Sequence, residues 1–269
     1  MIKLNKYIIY IAYIIYKMTD PWTHIFEKLG ITGDTEFTIT AKQIKECGKS
    51  WKGIADQFEP RLLCYQTSAD SRPALFKTCG LHLIPIKNGS YLATKTSVYK
   101  ELSYTTIQPI QINRDKSSCL LTVGGSEISL IDNLRYAGVF ERPEILGEPI
   151  THGPLLGGRH RITTSFIHGE KELEISGVQF ETDSCFESLN QILICEGKSG
   201  ARPIDSFNIR QLYFPYRVAM QKADGKKNVI CVFIHEFKGT INIWKYTFTD
   251  INRMDSIRLD GHYVYAFNS

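Results

Sequence analysis

The sequence predicts a mixed α/β protein, with a central mixed sheet flanked by helices and preceded by a small N-terminal α+β module. Three observations predict it. From residue 130 on, the apolar pattern runs in the order helix, three strands, helix, strand. In the first hundred residues, short helical patterns precede two apolar runs joined at Asn88-Gly89, a strong hairpin signal. Between the helix near 130 and the strands, Pro143, Pro149, Gly153, Pro154, Gly157 and Gly158 cluster as a loop or a domain joint.

Asp20-Pro21 opens the first helix, with Asp as N-cap and Pro at the first helical position. Trp22, Ile25, Phe26 and Leu29 share one face, and Gly30 closes it. A second helix is expected after Thr40, through Ile44. Arg61–Tyr65 reads as a strand, and Ser71-Arg72-Pro73 leads into a short helix ending near Gly80. The hairpin strands are Leu81–Ile86 and Tyr91–Thr94. Small helices plus a hairpin are compatible with a winged-helix-like module. Residues 95–125 are strand-rich. Leu130–Tyr136 is a helix ending near Gly138.

Arg161–Ile167 and Leu173–Phe186 read as strands about a His168-Gly169 turn, and Gln191–Glu196 as a third. Pro203, Asp205 and Ser206 introduce a helix through about Lys222. Val229–Ile234, Thr240–Phe248 and Tyr263–Phe267 complete the strands. The expected division is an upstream extension over 1–17, an N-terminal module over 18–125 and a core domain over 126–269. Met18 is read as the functional start. The apolar run Ile8–Tyr16 is shorter than the ~20 residues a membrane helix needs; the expected reading is an upstream extension, with an amphiphilic membrane anchor as the alternative, and no membrane partner is expected.

The chain has 269 residues, 43% hydrophobic and 22% charged, which excludes a disordered or collagen-like chain. A net charge of +4 allows nucleic-acid binding only where the cations gather on one face. Seven cysteines occur with no C-x-x-C pair, which reads as buried reduced thiols in a cytoplasmic protein. Gly124-Gly125 and Gly157-Gly158 lack the Gly-Lys-Ser/Thr tail of a phosphate loop.

The chemistry concentrates between Asp183 and Lys198. The apolar run Ile192-Leu193-Ile194-Cys195 leads into Glu196-Gly197-Lys198. On a strand, Glu196 and Lys198 lie side by side while Gly197 points away. Asp183 precedes them on the neighbouring strand, across the short connection Glu187–Asn190. Two converging carboxylates repel, and a hard divalent cation such as Mg²⁺ removes that cost. Asp183, Glu196 and the Gly197 carbonyl are the expected metal ligands, and Lys198 orients a water or a phosphate. An isolated Glu-x-Lys carries little information. The apolar lead-in, the upstream acid and the following helix give it weight. Glu181, on the same face as Asp183, is either a further ligand or a solvated neighbour. In the following helix, Gln211 bonds a phosphate or the attacking water, and Arg210 and Arg217 contact backbone phosphates. Pro215 breaks a helix rule there at ~3 kcal/mol. Leu212, Tyr213 and Tyr216 read as core. His160 and His168 read as structural or phosphate-facing. Arg61, Arg72, Lys87 and Asn88 are candidates for base contact.

Thr182-Asp183, Ile194-Cys195-Glu196-Gly197-Lys198 and the run Asn208–Arg217 together resemble type II restriction endonucleases of the PD-(D/E)xK superfamily. So, more loosely, do Phe58-Glu59-Pro60-Arg61-Leu62, Arg72-Pro73-Ala74-Leu75-Phe76 and Gly158-Arg159-His160-Arg161. The resemblance departs from the motif at Thr182, where the family has Pro. It implies a restriction-endonuclease-like core and Mg²⁺-dependent cleavage of double-stranded DNA at a short site. It also implies a cognate DNA methyltransferase as functional partner in a prokaryotic cytoplasm. Asp183, Glu196 and Lys198 match the catalytic motif, and Arg159 and Arg161 fall in a DNA-facing block. Two cuts suggest a homodimer on DNA. Two other readings stay open: a repair, junction-resolving or modification-dependent nuclease of the same fold, and a non-catalytic DNA-binding module.

Overall fold

The computed structural model describes residues 20–51, 55–115, 117–118, 121, 126–200 and 202–268. The proposed extension 1–17, Cys119 and Gly124-Gly125 lie outside them. The chain divides between Val98 and Tyr99 into two compact units.

The first unit contains α1 (Pro21–Leu29), β1 (Phe37–Thr40), α2 (Ala41–Gly48), α3 (Pro60–Cys64), α4 (Ala74–Thr78), β2 (His82–Lys87) and β3 (Ser90–Thr94). Within it the strands lie antiparallel in the order β1-β3-β2. Asp20 caps α1 by accepting from the Trp22 and Thr23 amides at 3.2 and 3.3 Å, and Gly30 ends it in the left-handed region at φ 64°. Thr40 and Gln43 close a capping box on α2. Trp22, Ile25, Phe26, Ile39, Ile44 and Phe76 form the centre of its core.

One expectation fails here. Arg61–Tyr65 is not a strand, because α3 occupies Pro60–Cys64. Pro60 supplies a preset helical φ, and the Glu59 side chain accepts from the Arg61 amide at 3.3 Å. A five-residue apolar run carries too little periodicity to separate the two states.

The second unit contains β4 (Tyr99–Glu101), β5 (Ile110–Ile112), α5 (Glu127–Tyr136), β6 (Ile150–Leu155), β7 (Gly158–His168), β8 (Lys171–Thr182), β9 (Ser184–Ser188) and β10 (Gln191–Ser199). It continues with β11 (Ser206–Asn208), α6 (Arg210–Ala223), β12 (Asn228–Phe237), β13 (Thr240–Phe248) and β14 (Ile257–Phe267). Residues from Tyr99 on join this unit because β4 pairs with β11 and β5 with β14. Its main sheet has seven strands in the order β5-β14-β13-β12-β10-β9-β6. It is mixed: β10–β12 and β14–β5 are parallel and the other pairs antiparallel.

Side chains alternate across this sheet. Leu193, Cys195, Val232, Ile234, Ile241 and Ile243 pack with Leu130, Ile131 and Leu134 of α5. The opposite alternation meets α6 and β11: Phe233 stacks on Phe207 at 4.3 Å, and Phe248 meets Tyr216 at 4.7 Å. A helix therefore flanks each face.

β7 and β8 make a long hairpin with a register shift at Ile162/Thr164, where Gly177 sits at φ 61° and donates its N–H to Thr163. The expected single strand Leu173–Phe186 breaks at Asp183. β8 pairs with β7, and β9 pairs with β10 and β6. The expected helix from Pro203 begins later, at Arg210, because Ser206–Asn208 is drawn into pairing with β4. The Pro/Gly-rich joint holds β6, an irregular edge strand on β9. Six described cysteines are free, and all but Cys79 are buried. No helix among the described residues is long and apolar enough to cross a membrane.

Candidate active site

β10 is covered unequally on its two edges. It pairs with β12 from Gln191 to Ser199, but β9 accompanies it only from Ile192 to Cys195. From Glu196 on, no described strand pairs with the β9 edge of β10. Asp183, the residue before β9, fills the first position. Its Oδ2 accepts the Gly197 N–H at 2.8 Å, so a carboxylate stands where a backbone carbonyl would.

Glu196 and Lys198 project to the α6 side. Glu196 is 4% exposed, and its Oε1 accepts from the Lys198 ammonium at 2.9 Å and from the Gln211 amide of α6. Gly197 faces α5 so closely that a Cβ there would lie 3.3 Å from the Glu127 carbonyl oxygen and 3.4 Å from Ile131 Cδ1. The first residue of α5 is thereby at the site. Lys198 Nζ also donates to Glu127 Oε1 at 3.2 Å and to the Gly197 carbonyl at 2.8 Å.

Three carboxylates and one ammonium share this end of the strand. Burial pushes the Glu196 carboxyl up to about 7; Lys198 opposes this, and Asp183 and Glu127 add to it. Burial also raises Asp183, against the Gly197 N–H and Lys198, with Glu127 and Glu181 adding repulsion. Burial works against the Lys198 charge, but Glu196, Glu127 and Asp183 together hold its pKa above the ordinary lysine value. Lys198 is therefore a fixed cation and not a proton acceptor at neutral pH.

The donor set fits a hard divalent cation. Its charged groups are carboxylate oxygens whose burial and mutual repulsion a cation would relieve. The Gln211 side-chain oxygen, beside Glu196, is buried without a hydrogen-bond partner. Among the described residues, no three His, Cys, Asp or Glu side chains are grouped as a ready metal cage. The Lys198 ammonium holds Glu196 and Glu127 instead, and also occupies the Gly197 carbonyl expected as a ligand.

The structure thus brings together Asp183, Glu196, Gly197, Lys198 and Gln211. Sequence reasoning missed Glu127, because an acid in a helix first turn is ordinary on its own and the helix was expected to start only at Leu130. The Ser126 N-cap, which accepts from the Ser129 amide at 3.2 Å, was the available signal for the earlier start. Glu181 is exposed and pairs with Arg159 at 2.8 Å. Arg161 is exposed and donates to the Gly177 carbonyl at 2.9 Å. Arg210 is half-buried in the first turn of α6.

Two arginines do something other than expected. Arg217 is 7% exposed, and its guanidinium donates to Ile251 O at 2.7 Å, Asn252 Oδ1 at 2.9 Å and Thr164 Oγ1 at 2.7 Å. It braces α6 against β7 and the loop before β14 and is not presented to a phosphate. In the first unit, Arg72 donates to the Ala69 and Leu81 carbonyls at 3.3 and 3.2 Å, again as a brace. Arg61, Lys87 and Asn88 are exposed. His168 is buried, and His160 stacks on Phe180 at 5.6 Å.

Fold and site together define a mixed α/β domain with an acid–lysine cluster where one central strand loses its neighbour. Residues 94–266, which contain all of this cluster, match the family described as a domain of unknown function, DUF6997. The chain belongs to that family. Residues 19–93 match a second domain of unknown function, DUF6996. No curated protein and no solved structure matches the chain.

Proposed function

We propose that this protein is a Mg²⁺-dependent endonuclease of the PD-(D/E)xK type, hydrolysing phosphodiester bonds of double-stranded DNA at a specific site. The observation that carries the reading is the convergence of Asp183, Glu196 and Lys198 at the end of β10, with the α6 amide of Gln211 on Glu196. In this reading Asp183 and Glu196 would hold the cation, and Glu127 shares the Lys198 ammonium with Glu196. Bound Mg²⁺ supplies Lewis acidity and a more acidic water. Lys198, kept cationic by its carboxylates, orients the attacking water or steadies charge developing on a phosphate oxygen. Gln211, whose Nε2 donates to Glu196 and whose Oε1 has no hydrogen-bond partner, would in this reading accept a hydrogen bond from the attacking water. A restriction enzyme of this kind would work in a prokaryotic cytoplasm, as a homodimer on DNA, with a methyltransferase protecting the host sites.

The test is incubation of the purified protein with plasmid DNA and Mg²⁺. Discrete fragments support a site-specific enzyme, a smear supports a non-specific nuclease of the same chemistry, and intact DNA overturns the proposal. Asp183→Ala and Lys198→Ala are expected to abolish cutting while leaving DNA binding in place. Wild-type rates in either variant would remove these side chains from the mechanism.

A further inference from the structure

The first unit carries a cationic surface that the cleavage chemistry does not use. Lys42, Lys45 and Lys49 stand at i, i+3 and i+7 along α2 and its C-cap, and all three are exposed. That spacing places them on one side of the helix. At 1.5 Å per residue the row is about 10 Å long. Ile44 and Cys47 are buried on the opposite side. The β2–β3 turn extends the row at its other end: the Ala41 N–H donates to the Gly89 carbonyl at 2.7 Å, and a Cβ on Gly89 would lie 3.3 Å from Ala41 Cβ. Lys87 and Asn88, both exposed, thus sit beside the start of α2.

These cations are available. Neither Lys42 nor Lys87 makes an ion pair with any described residue. Lys45 reaches Glu59 only at 4.0 Å, and Lys49 pairs with Glu46 at 2.7 Å on side chains that are mostly exposed. Surface pairs of that kind are worth about 0–1 kcal/mol and yield to a stronger anion. At the start of α2 the Ala41 amide donates to the Gly89 carbonyl, the Gln43 amide to Thr40 Oγ1 and the Thr40 amide to Gln43 Oε1, so the feature is a row of side-chain cations and not a helix end.

We propose that Lys42, Lys45, Lys49 and Lys87 form a phosphate-binding face that seats the first unit on the backbone of a DNA duplex. The choice of DNA among polyanions rests on the nuclease reading above. Lysine is a compact, hydrated point charge that suits phosphate contact better than bidentate base recognition, so the face positions the protein without reading sequence.

The test is the affinity of the full chain for a fluorescent duplex, measured by anisotropy in EDTA across a salt series. Four phosphate contacts predict a contribution of about −3.6 to the slope of log affinity against log salt, at about −0.9 per contact. Lys42→Ala/Lys87→Ala is expected to flatten the slope by about 2 and weaken binding roughly tenfold at low salt, equally on every sequence. Its melting temperature should stay at the wild-type value. Lys42→Arg/Lys87→Arg should restore the slope. An unchanged slope in the alanine variant overturns the proposal, as does preference for anionic vesicles or single strands over duplex. A flattened slope in a protein that never cuts DNA supports this face and removes the nuclease reading. Normal cutting with an unchanged slope does the reverse.

Discussion

Gly197 shows how much one residue can decide. It lies between the two chemical side chains, donates its N–H to Asp183, lends its carbonyl to Lys198 and leaves room for the start of α5. A methyl group would meet Glu127 and Ile131 at 3.3–3.4 Å, so helix or strand must give by a few tenths of an ångström. Gly197→Ala is expected to cost about 1–3 kcal/mol of stability. Under the proposed nuclease reading it should also slow single-turnover cleavage roughly tenfold, since small displacements of catalytic groups are expensive. Thermal melting and rapid-quench kinetics on the same preparation check both. The Glu196-x-Lys198 pair was legible in the sequence because strand alternation is local. Glu127 was not, because it meets Lys198 across 71 positions of chain and nothing near it announces the contact.

Where an element begins and ends is what brings these residues together. Leu173–Phe186 reads as one strand, yet the chain changes partners at Asp183, from β7 to β10. That exchange releases the aspartate from a ladder and points its carboxylate at the next strand's backbone. The apolar pattern is continuous across the break, so periodicity alone could not find it. Helix α6 offers a second case. Arg210, Gln211 and Arg217 all look like polar positions on one helix, but Gln211 and Arg217 part ways: Gln211 reaches the cluster. Arg217 instead joins α6 to β7 and to residues 251–252. Removing it leaves buried acceptors unmatched, so Arg217→Ala should lower stability by about 3 kcal/mol. Its affinity for DNA, measured below the melting transition and per folded molecule, should not change. A loss of affinity at full folding would return Arg217 to the proposed DNA surface.

Across the whole molecule, two sets of buried titratable groups pull stability in opposite directions with pH. Burial lowers the pKa of His235 and His262, so the unfolded chain binds protons that the folded chain refuses. Their contribution is present above the ordinary histidine value near 6.5 and is lost as pH falls through and below it. His235→Gln/His262→Gln should therefore flatten the acid side of a melting-temperature profile between about pH 7 and 5. Glu196 acts the other way, since its folded carboxyl titrates at about 7. Its protonation contributes stability that is fully present below the unfolded carboxyl value and is lost as pH rises to and through about 7. If Mg²⁺ binds here as proposed, it should raise the melting temperature of the wild type most clearly above pH 7, by the equivalent of about 2.7 kcal/mol at a hundred times its dissociation constant. Asp183→Ala should show no such rise, and an equal rise in that variant would place the ion elsewhere. By itself the sequence determined the mixed α/β class, the capped first helix, the hairpin at Asn88-Gly89 and the apolar strand ending in Glu-x-Lys. Each of these is written in neighbouring residues through period, cap or turn chemistry. Only the tertiary structure decided that Asp183 leaves its strand, that Glu127 joins the acids and that Arg217 is a brace. Those outcomes depend on which distant backbone takes each hydrogen bond, and no local pattern encodes that choice.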